Sequence, residues 1–401
     1  MDPTPSPPRG RENITSLNVP LWREEMADLF NQNSLYINFD SPFLTSQLIT
    51  YIGNKRSLLP FLNYGFEVVK KKLGRQKLSV LDGFSGSGVV SRLLKYHSTK
   101  LYTNDLESYS YICNKCFLSN KSQVDIKKIN KTIELLNSQK QNLIEGFITK
   151  NYSPKNDDDI RCGERVFYTH RNGMILDTFK RWIYTNIPER EQCFYLGPLI
   201  VEGSIHTNTS GVFKGFHKKN GIGHFGGSGE NALKRIMGEI TVKTPVFSDV
   251  ECEIDVRQQD INQLVKELPE LDLAYYDPPY NQHPYGSNYF MLNILSTQKD
   301  EIPIQDGVSG ISIDWNRSSY NKRQPAIDSM DDLIKNTNSR YILISYNNEG
   351  IIPFDTFKSI LEKYGKVELL QQDYNTYRGC RNLCDRSIKV KELLWVLEKK
   401  G

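Results

Sequence analysis

Short apolar runs that end in polar, turn-forming residues recur along this chain, separated by segments whose apolar positions repeat at helical spacing. Leu78-Ser79-Val80-Leu81-Asp82 is one such run; Gly83-Phe84-Ser85-Gly86-Ser87-Gly88 follows it, then Val89, Val90, Leu93 and Leu94 on one helical face. This order predicts strand, glycine turn and helix. Upstream, Leu58, Leu59, Phe61, Leu62, Phe66 and Val69 predict a helix that stops near Gly74. Downstream, Lys100-Leu101-Tyr102-Thr103 predicts a second strand ending at Asn104-Asp105, and Ile126, Ile129, Ile133 and Leu136 place a helix within 124–148. The rhythm then stops and resumes in runs at 252–256, 272–276, 340–345 and 390–397, which read as later strands of the same buried sheet. The chain therefore divides into an N-terminal extension (1–47), a first α/β part (48–149), an insertion (150–250) and a second α/β part (251–401).

The insertion holds His170, His206, His217 and His224, and a glycine-flexed stretch, 210–221, in which Lys214, His217, Lys218 and Lys219 alternate with Phe213 and Phe216. Cations interleaved with aromatics suit phosphates and bases. A solvated loop with core aromatics has the same composition. The histidines lack the i,i+4 pairing of a helical metal site and read as polar contacts or structural residues. In the extension, the first ten residues are proline-rich and read as a disordered tail, while Leu17, Leu21, Trp22, Leu29 and Phe30 suit a short amphipathic segment.

Composition narrows the classes. The 401 residues carry a formal charge of +4, which permits an anionic partner without demanding one. No secretory apolar region opens the chain, and no apolar run approaches the roughly 20 residues that span a bilayer, so a soluble, cytoplasmic protein with no membrane partner is expected. Seven cysteines without regular spacing imply no disulfide framework. Cys113 and Cys116 fall in a helical segment far from Cys380 and Cys384, and buried thiols are the expected reading over a metal site.

The chemistry concentrates in Asp277-Pro278-Pro279-Tyr280, at the end of the apolar run 271–276. Proline fixes φ and donates no backbone hydrogen bond, so Pro278 and Pro279 hold neighbouring carbonyls in place. If Asp277 and the Pro278 carbonyl each accept an N–H of an exocyclic amine, the nitrogen lone pair leaves conjugation with its ring and can attack a methyl electrophile. Tyr280 supplies a face on which a base rotated out of a duplex can stack. Asp-Pro-Pro is also turn-rich, and by itself it equally describes a strand-end turn. The glycine turn contains no Walker lysine, which disfavours phosphate transfer. Gly86 and Gly88 allow close backbone approach to a cofactor, and Asp82 can meet an ammonium group, as a methionine-type zwitterion requires.

Taken in order, these motifs resemble the S-adenosylmethionine-dependent DNA adenine methyltransferases of the Dam-like alpha group. Residues 51–55 look like that group's N-terminal cofactor motif, 82–88 like its glycine motif, Asn104-Asp105 like its ribose-binding acid and Gln259-Asp260-Ile261 like its adenine-reading segment. The catalytic tetrapeptide continues through 281–289, and 344–350 is similar to a later motif beside the target-base pocket. The resemblance implies a Rossmann-like α/β methyltransferase with a mixed seven-stranded sheet and an inserted target-recognition domain. It also implies S-adenosyl-L-methionine held by Phe84, Gly86, Gly88, Asp105, Asp260 and Ile261 with Tyr51 and Lys55 near its methionine end, and a duplex DNA substrate whose adenine N6 is methylated. No metal is needed, because a sulfonium is already a strong electrophile. A cognate restriction endonuclease is the implied partner.

The tetrapeptide does not by itself exclude cytosine-N4 methylation, and an RNA methyltransferase would share the cofactor half. Protein-glutamine methyltransferases resemble Asn-Pro-Pro-Tyr bearers, whereas this chain has Asp277. A non-catalytic DNA-binding subunit would have lost the acid or the glycines, and both are intact.

Overall fold

The runs of apolar residues become strands of a seven-stranded sheet; those at 78–82, 271–276 and 339–347 are short and almost uniformly buried, and helices pack on both sheet faces. The strands are β1 (Leu78–Asp82), β2 (Ser98–Asn104), β3 (Glu253–Arg257), β4 (Leu271–Tyr276), β5 (Ser339–Asn347), β6 (Gly365–Asn375) and β7 (Lys389–Lys399). In the computed structural model, which describes residues 37–230, 232–299, 301–347, 349–375 and 389–400, they lie in the order β3-β2-β1-β4-β5-β7-β6. The first five pair in parallel, while β7 inserts antiparallel between β5 and β6. Strand order runs outward from β1 through β2 to β3, then restarts on its other side at β4. Ligands of open α/β sheets bind at such a reversal.

Helices α1 (Leu59–Leu73), α2 (Val89–His97), α3 (Ser108–Phe117) and α4 (Ile126–Ser138) precede the insertion; α5 (His170–Asn186) and α6 (Glu189–Ile205) lie within it; α7 (Arg323–Asn336) and α8 (Phe354–Tyr364) follow. One sheet face, with Ala274, Tyr276, Ile342 and Ile344, packs on Met330, Leu333 and Ile334 of α7 and on Phe357 and Ile360 of α8. The opposite face meets α1, where Gly65 lies directly against Leu343 and Leu394.

Three features differ from the sequence expectations. The helix expected within 124–148 ends at Ser138, because the apolar phase is lost in Asn137–Asn142; a separate helix, Phe147–Tyr152, follows, with Asp177 accepting from the backbone N–H groups of Ile148 (2.9 Å) and Thr149 (2.8 Å). Strand β6 was not anticipated: it is an edge strand whose side chains are only half-buried, so its run mixes apolar and polar residues. The insertion is strongly helical. Its helix α6 is buried on several sides over Tyr195–Ser204 and contains Gly197 and Pro198, so it shows no amphipathic stripe.

The insertion shares one hydrophobic core with the sheet domain. Cys113, Cys116 and Phe117 of α3 pack with Leu176 and Phe179 of α5, Leu199 and Ile200 of α6, and Phe290 and Leu295 beyond the catalytic loop. Cys113 and Cys116 are thus buried in this core. The expectations for Leu17, Leu21, Trp22, Leu29 and Phe30, for the proline-rich tail, and for Cys380 and Cys384 lie outside the described residues.

Residues 43–47 are held by Arg92 together with the amide of Gln47, which bonds the backbone of Thr244 and Val246. Arg92 of α2, 1 % exposed, donates from Nη1 to the carbonyls of Phe43 and Ser46 (both 2.8 Å) and from Nη2 to that of Gln47 (2.9 Å), with its guanidinium 4.5 Å from the Phe117 ring centroid. Replacing Arg92 by leucine is expected to cost at least ~3 kcal/mol of stability, since each buried carbonyl left unpaired costs about 1–3 kcal/mol. Denaturant unfolding with an unchanged midpoint would show that the guanidinium does not anchor residues 43–47.

Candidate active site

The glycine turn after β1 is folded back by hydrogen bonds that its sequence makes accessible. Gly86 (φ +50°) and Gly88 (φ +76°) occupy left-handed conformations, and the Gly86 N–H donates to Asp105 Oδ2 at 2.7 Å. The other Asp105 oxygen accepts from the Glu107 N–H at 2.9 Å. A side chain at Gly88 would place Cβ 2.7 Å from Asn114 Oδ1 in addition to the backbone strain. Asn104 joins the neighbouring strand ends, donating to the carbonyls of Gly83 (3.3 Å) and Gln259 (3.0 Å).

Between these loops and the end of β4 opens a cleft of about 920 Å³, its mouth included. Tyr51, Lys55, Phe84, Gly86, Asp105, Asp260, Ile261, Asp277 and Pro279 all line it. Phe84 stands edge-on to Tyr320, with centroids 5.2 Å apart, and Asp260 caps the short helix Ile261–Leu264 through the Asn262 N–H at 2.9 Å. Tyr51 stacks nearly parallel with Tyr285 (4.9 Å) and Tyr289 (4.6 Å), which lie 5.9 Å from each other in the same three-ring cluster.

Other anticipated residues lie just outside this lining. Asp82 is fully buried at the end of β1, where Oδ2 accepts from Ser91 Oγ and Oδ1 has no protein partner. Burial pushes its carboxyl up to about 7, against the Ser91 hydrogen bond. Gly88 starts α2, Pro278 is buried behind the catalytic loop, and the Tyr280 ring packs over Gly53. The Tyr280 carbonyl accepts from the Ile351 N–H at 3.0 Å, which ties the catalytic loop to the turn after β5. Asn348 of that turn lies outside the described residues.

Lys55 occupies a position with direct consequences for Asp277. Only 5 % exposed, its Nζ lies 3.2 Å from Asp277 Oδ1 and 2.8 Å from Glu392 Oε1, and Glu392, on β7, is 0 % exposed. Ser345 Oγ also donates to Glu392 Oε1, while Oε2 has no protein partner. Lys55 is held protonated: burial opposes the charge, but Asp277 and Glu392 outweigh it and raise the ammonium well above its usual range. Asp277 is pushed up to about 6 by burial, with Lys55 pulling down and Glu392 pushing up.

Glu392, Glu107 and Tyr320 escaped the sequence reading. Glu392 is one polar residue inside an apolar strand run, and that interruption of Val390–Leu397 was its only available signal. Glu107 lines the cleft while bonded to Asn293 (2.5 Å) and Asn316 (3.3 Å), and burial pushes it up to about 7.

Away from the cleft, Lys218–Lys219 pairs antiparallel with Ile222–Gly223 in a small ribbon. Its lysines and Lys214 are exposed, whereas Phe213 is buried and Phe216 stands edge-on to Phe167 at 5.2 Å. His217 is half-buried, bonded through its backbone to Asn208 and His224 (both 3.0 Å). His170 and His206 serve local contacts, to the Pro154 and Arg235 carbonyls respectively. Among the described residues, no group of three or more His, Cys, Asp and Glu side chains could hold a metal ion.

Strand order and cleft together define a Rossmann-like methyltransferase. Family comparison narrows this class: residues 51–360 match the D12 class N6 adenine-specific DNA methyltransferases, and the chain belongs to that family. It is similar to Type II methyltransferase M.NlaIII of Neisseria lactamica, 28 % identical over 359 residues covering 88 % of this chain and 99 % of that protein. Type II methyltransferase M.CviAII of Paramecium bursaria Chlorella virus 1 is 29 % identical over 344 residues, covering 82 % and 93 %. Modification methylase StsI of Streptococcus sanguinis is 28 % identical over 366 residues, covering 87 % of this chain and 52 % of that protein.

Proposed function

We propose that this enzyme binds S-adenosyl-L-methionine in the cleft at the ends of β1, β2 and β4 and methylates N6 of an adenine rotated out of duplex DNA. The observation that carries this reading is Asp277, a cleft-lining carboxylate whose charge is set by the buried Lys55 and Glu392. The cleft fits the cofactor. Gly86 leaves backbone room and Asp105 retains lone pairs for ribose hydroxyls beyond its bonds to Gly86 and Glu107, whereas Gly88 faces Asn114 and Asp82 lies buried behind the lining. Phe84, Asp260 and Ile261 form the adenine end, with Tyr51 and Lys55 toward the methionine end. When bound, the cofactor supplies a methyl group on an electrophilic sulfonium.

Asp277 and the Pro278 carbonyl accept the two N6–H bonds and draw the nitrogen lone pair toward the donor, while Tyr280 offers its ring to the extruded base. With both carboxylates ionised, Asp277, Lys55 and Glu392 sum to one net negative charge in a poorly solvated site. That balance matters: Lys55 facing Asp277 alone would neutralise it as an acceptor, whereas sharing Lys55 with Glu392 leaves Asp277 charge to meet the positive charge growing on the amine. Glu392 is thus a positioning residue that acts through Lys55. The exposed Lys214, Lys218 and Lys219, with His217, present a recognition surface to phosphates. The relatives' names, Type II methyltransferase and modification methylase, support a modification enzyme; a cytoplasmic location and a cognate restriction endonuclease complete the proposal. No helix among the described residues is long and apolar enough to cross a membrane.

Two substitutions should separate binding from chemistry. Asp277→Ala is expected to lower turnover on the order of 10²- to 10³-fold with cofactor affinity retained, whereas Asp105→Ala should weaken cofactor binding measured by calorimetry. Near-normal turnover in the first variant would overturn the assigned chemistry.

Glu392→Gln should lower kcat on the order of tenfold, less than removal of a group that touches the substrate. The sign of its pH effect follows from the charges: activity needs ionised Asp277, so kcat/KM falls as pH drops through about 6. Removing a neighbouring negative charge eases that ionisation, so the acid limb moves to lower pH in the variant. An unmoved limb would assign Glu392 a purely structural role.

Neutralising Lys218 and Lys219 together should weaken duplex binding on all sequences and reduce the slope of log affinity against log salt by about 0.9 per lost contact. Filter or anisotropy titrations across salt concentrations would read this. An identical slope and affinity would leave the ribbon as a solvated loop.

A further inference from the structure

A second concave surface opens beside the cleft, walled by residues 315–325 and by Gln282 and Pro284 of the catalytic loop. Its charged lining is of one sign, from Arg317, Lys322 and Arg323, all exposed. None of these side chains forms an ion pair or hydrogen bond with another described residue. The Arg317 guanidinium lies 4.5 Å from the Trp315 ring centroid, so one face is occupied while its N–H edge stays available. Helix α7 begins here without a side-chain cap and with no acidic residue in its first turn.

Asn321 connects this groove to the active site. It is 6 % exposed, lines both cavities, and donates from Nδ2 to the Asn281 carbonyl of the catalytic loop at 2.8 Å. Its Oδ1 has no protein partner. Leaving a buried acceptor unpaired is costly, so this atom points to a donor supplied from outside the chain.

We propose that the groove holds the phosphodiester backbone of the DNA strand that carries the target adenine, next to the nucleotide entering the cleft. The inference rests on the reading of the cleft as a DNA adenine methyltransferase site and adds a second contact region to it. Arg317, Lys322 and Arg323 meet phosphate oxygens, Asn321 Oδ1 accepts from a base N–H of the same strand, since the backbone itself carries no donor, and Trp315 holds Arg317 in place. Because the Asn321 amide is bonded to the catalytic loop, seating the strand also fixes the loop that carries Asp277.

The test is the triple variant Arg317→Ala, Lys322→Ala, Arg323→Ala, beside Arg317→Lys, Arg323→Lys, which keeps the charge. For the triple alanine variant, the salt slope of duplex binding should fall by nearly three units, and affinity by up to roughly tenfold per contact at about 0.1 M salt. KM for DNA should rise while cofactor affinity, measured by calorimetry without DNA, stays the same. The lysine variant should keep most of the slope. These side chains are exposed and unpaired, so folding should survive, and the unchanged cofactor affinity verifies it. A wild-type slope and affinity in the triple alanine variant, with wild-type enzyme binding and methylating duplex, would overturn the groove proposal alone. Wild-type enzyme that neither binds nor methylates duplex would remove the underlying reading and the groove's role with it.

Discussion

Parallel pairing of β1 with β4 is the contact from which the site's geometry follows, because it brings together two turns that lie almost two hundred residues apart. The register sets Asp82 opposite Tyr275, and one further ladder bond, from the Gly83 N–H to the Tyr275 carbonyl at 2.9 Å, carries the pairing into the first residue of the glycine turn. Asp277 therefore begins where the cofactor loop begins. A shift by one residue would turn Tyr275 and Tyr276 to opposite faces and separate Asp277 from the glycines. The register is strongly specified, since every residue of β4 is buried and Ala274 and Tyr276 fill the cluster shared with α7 and α8.

The charge at the end of β4 depends on a different part of the chain. Lys55 comes from the turn before α1 and Glu392 from β7, the antiparallel strand that closes against β5 with Asn347 opposite Glu392. Two carboxylates and one ammonium out of water would be costly if unpaired, and each direct contact here is at hydrogen-bond distance. A catalytic carboxylate facing one buried cation would be a weak acceptor, and one facing none would protonate. The shared lysine keeps Asp277 between those limits, so under the proposed function the antiparallel strand has a chemical use as well as a structural one.

Much of this was legible because the informative residues sit at strand ends, where turn chemistry interrupts apolar periodicity. Gly86 and Gly88, Asp105, Asp260 and Asp277 each follow a short apolar run, and the cofactor-side acids and Asp277 meet in one cleft. What escaped notice has physical reasons. Glu392 sits mid-strand with no turn to mark it, and its partners Lys55 and Ser345 are 337 and 47 residues away in sequence. The two long helices of the insertion bury most of their surface, so no polar stripe announces them, and β6 is an edge strand whose half-buried positions do not form an apolar run. The mixture of lysine and phenylalanine at 213–219 had two readings because the structure contains both: Phe213 belongs to the core while Lys218 and Lys219 face solvent.

The hydrophobic core also links recognition to chemistry. Tyr289 stacks on Tyr51, accepts from the Ile52 N–H through its hydroxyl at 2.7 Å, and lies in the same cluster as Phe213 of the insertion and Phe290. The Phe213 N–H in turn donates to the Asn288 carbonyl at 2.8 Å. A force on the lysine ribbon is therefore passed through close-packed rings and backbone bonds, not through a flexible linker, to the segment that lines the cofactor cleft. Close packing makes small displacements there costly, so the insertion and the rings of Tyr51 and Tyr285 are held in one arrangement. Under the proposed function, in which the insertion meets DNA, this shared core is the contact through which it bears on the cleft.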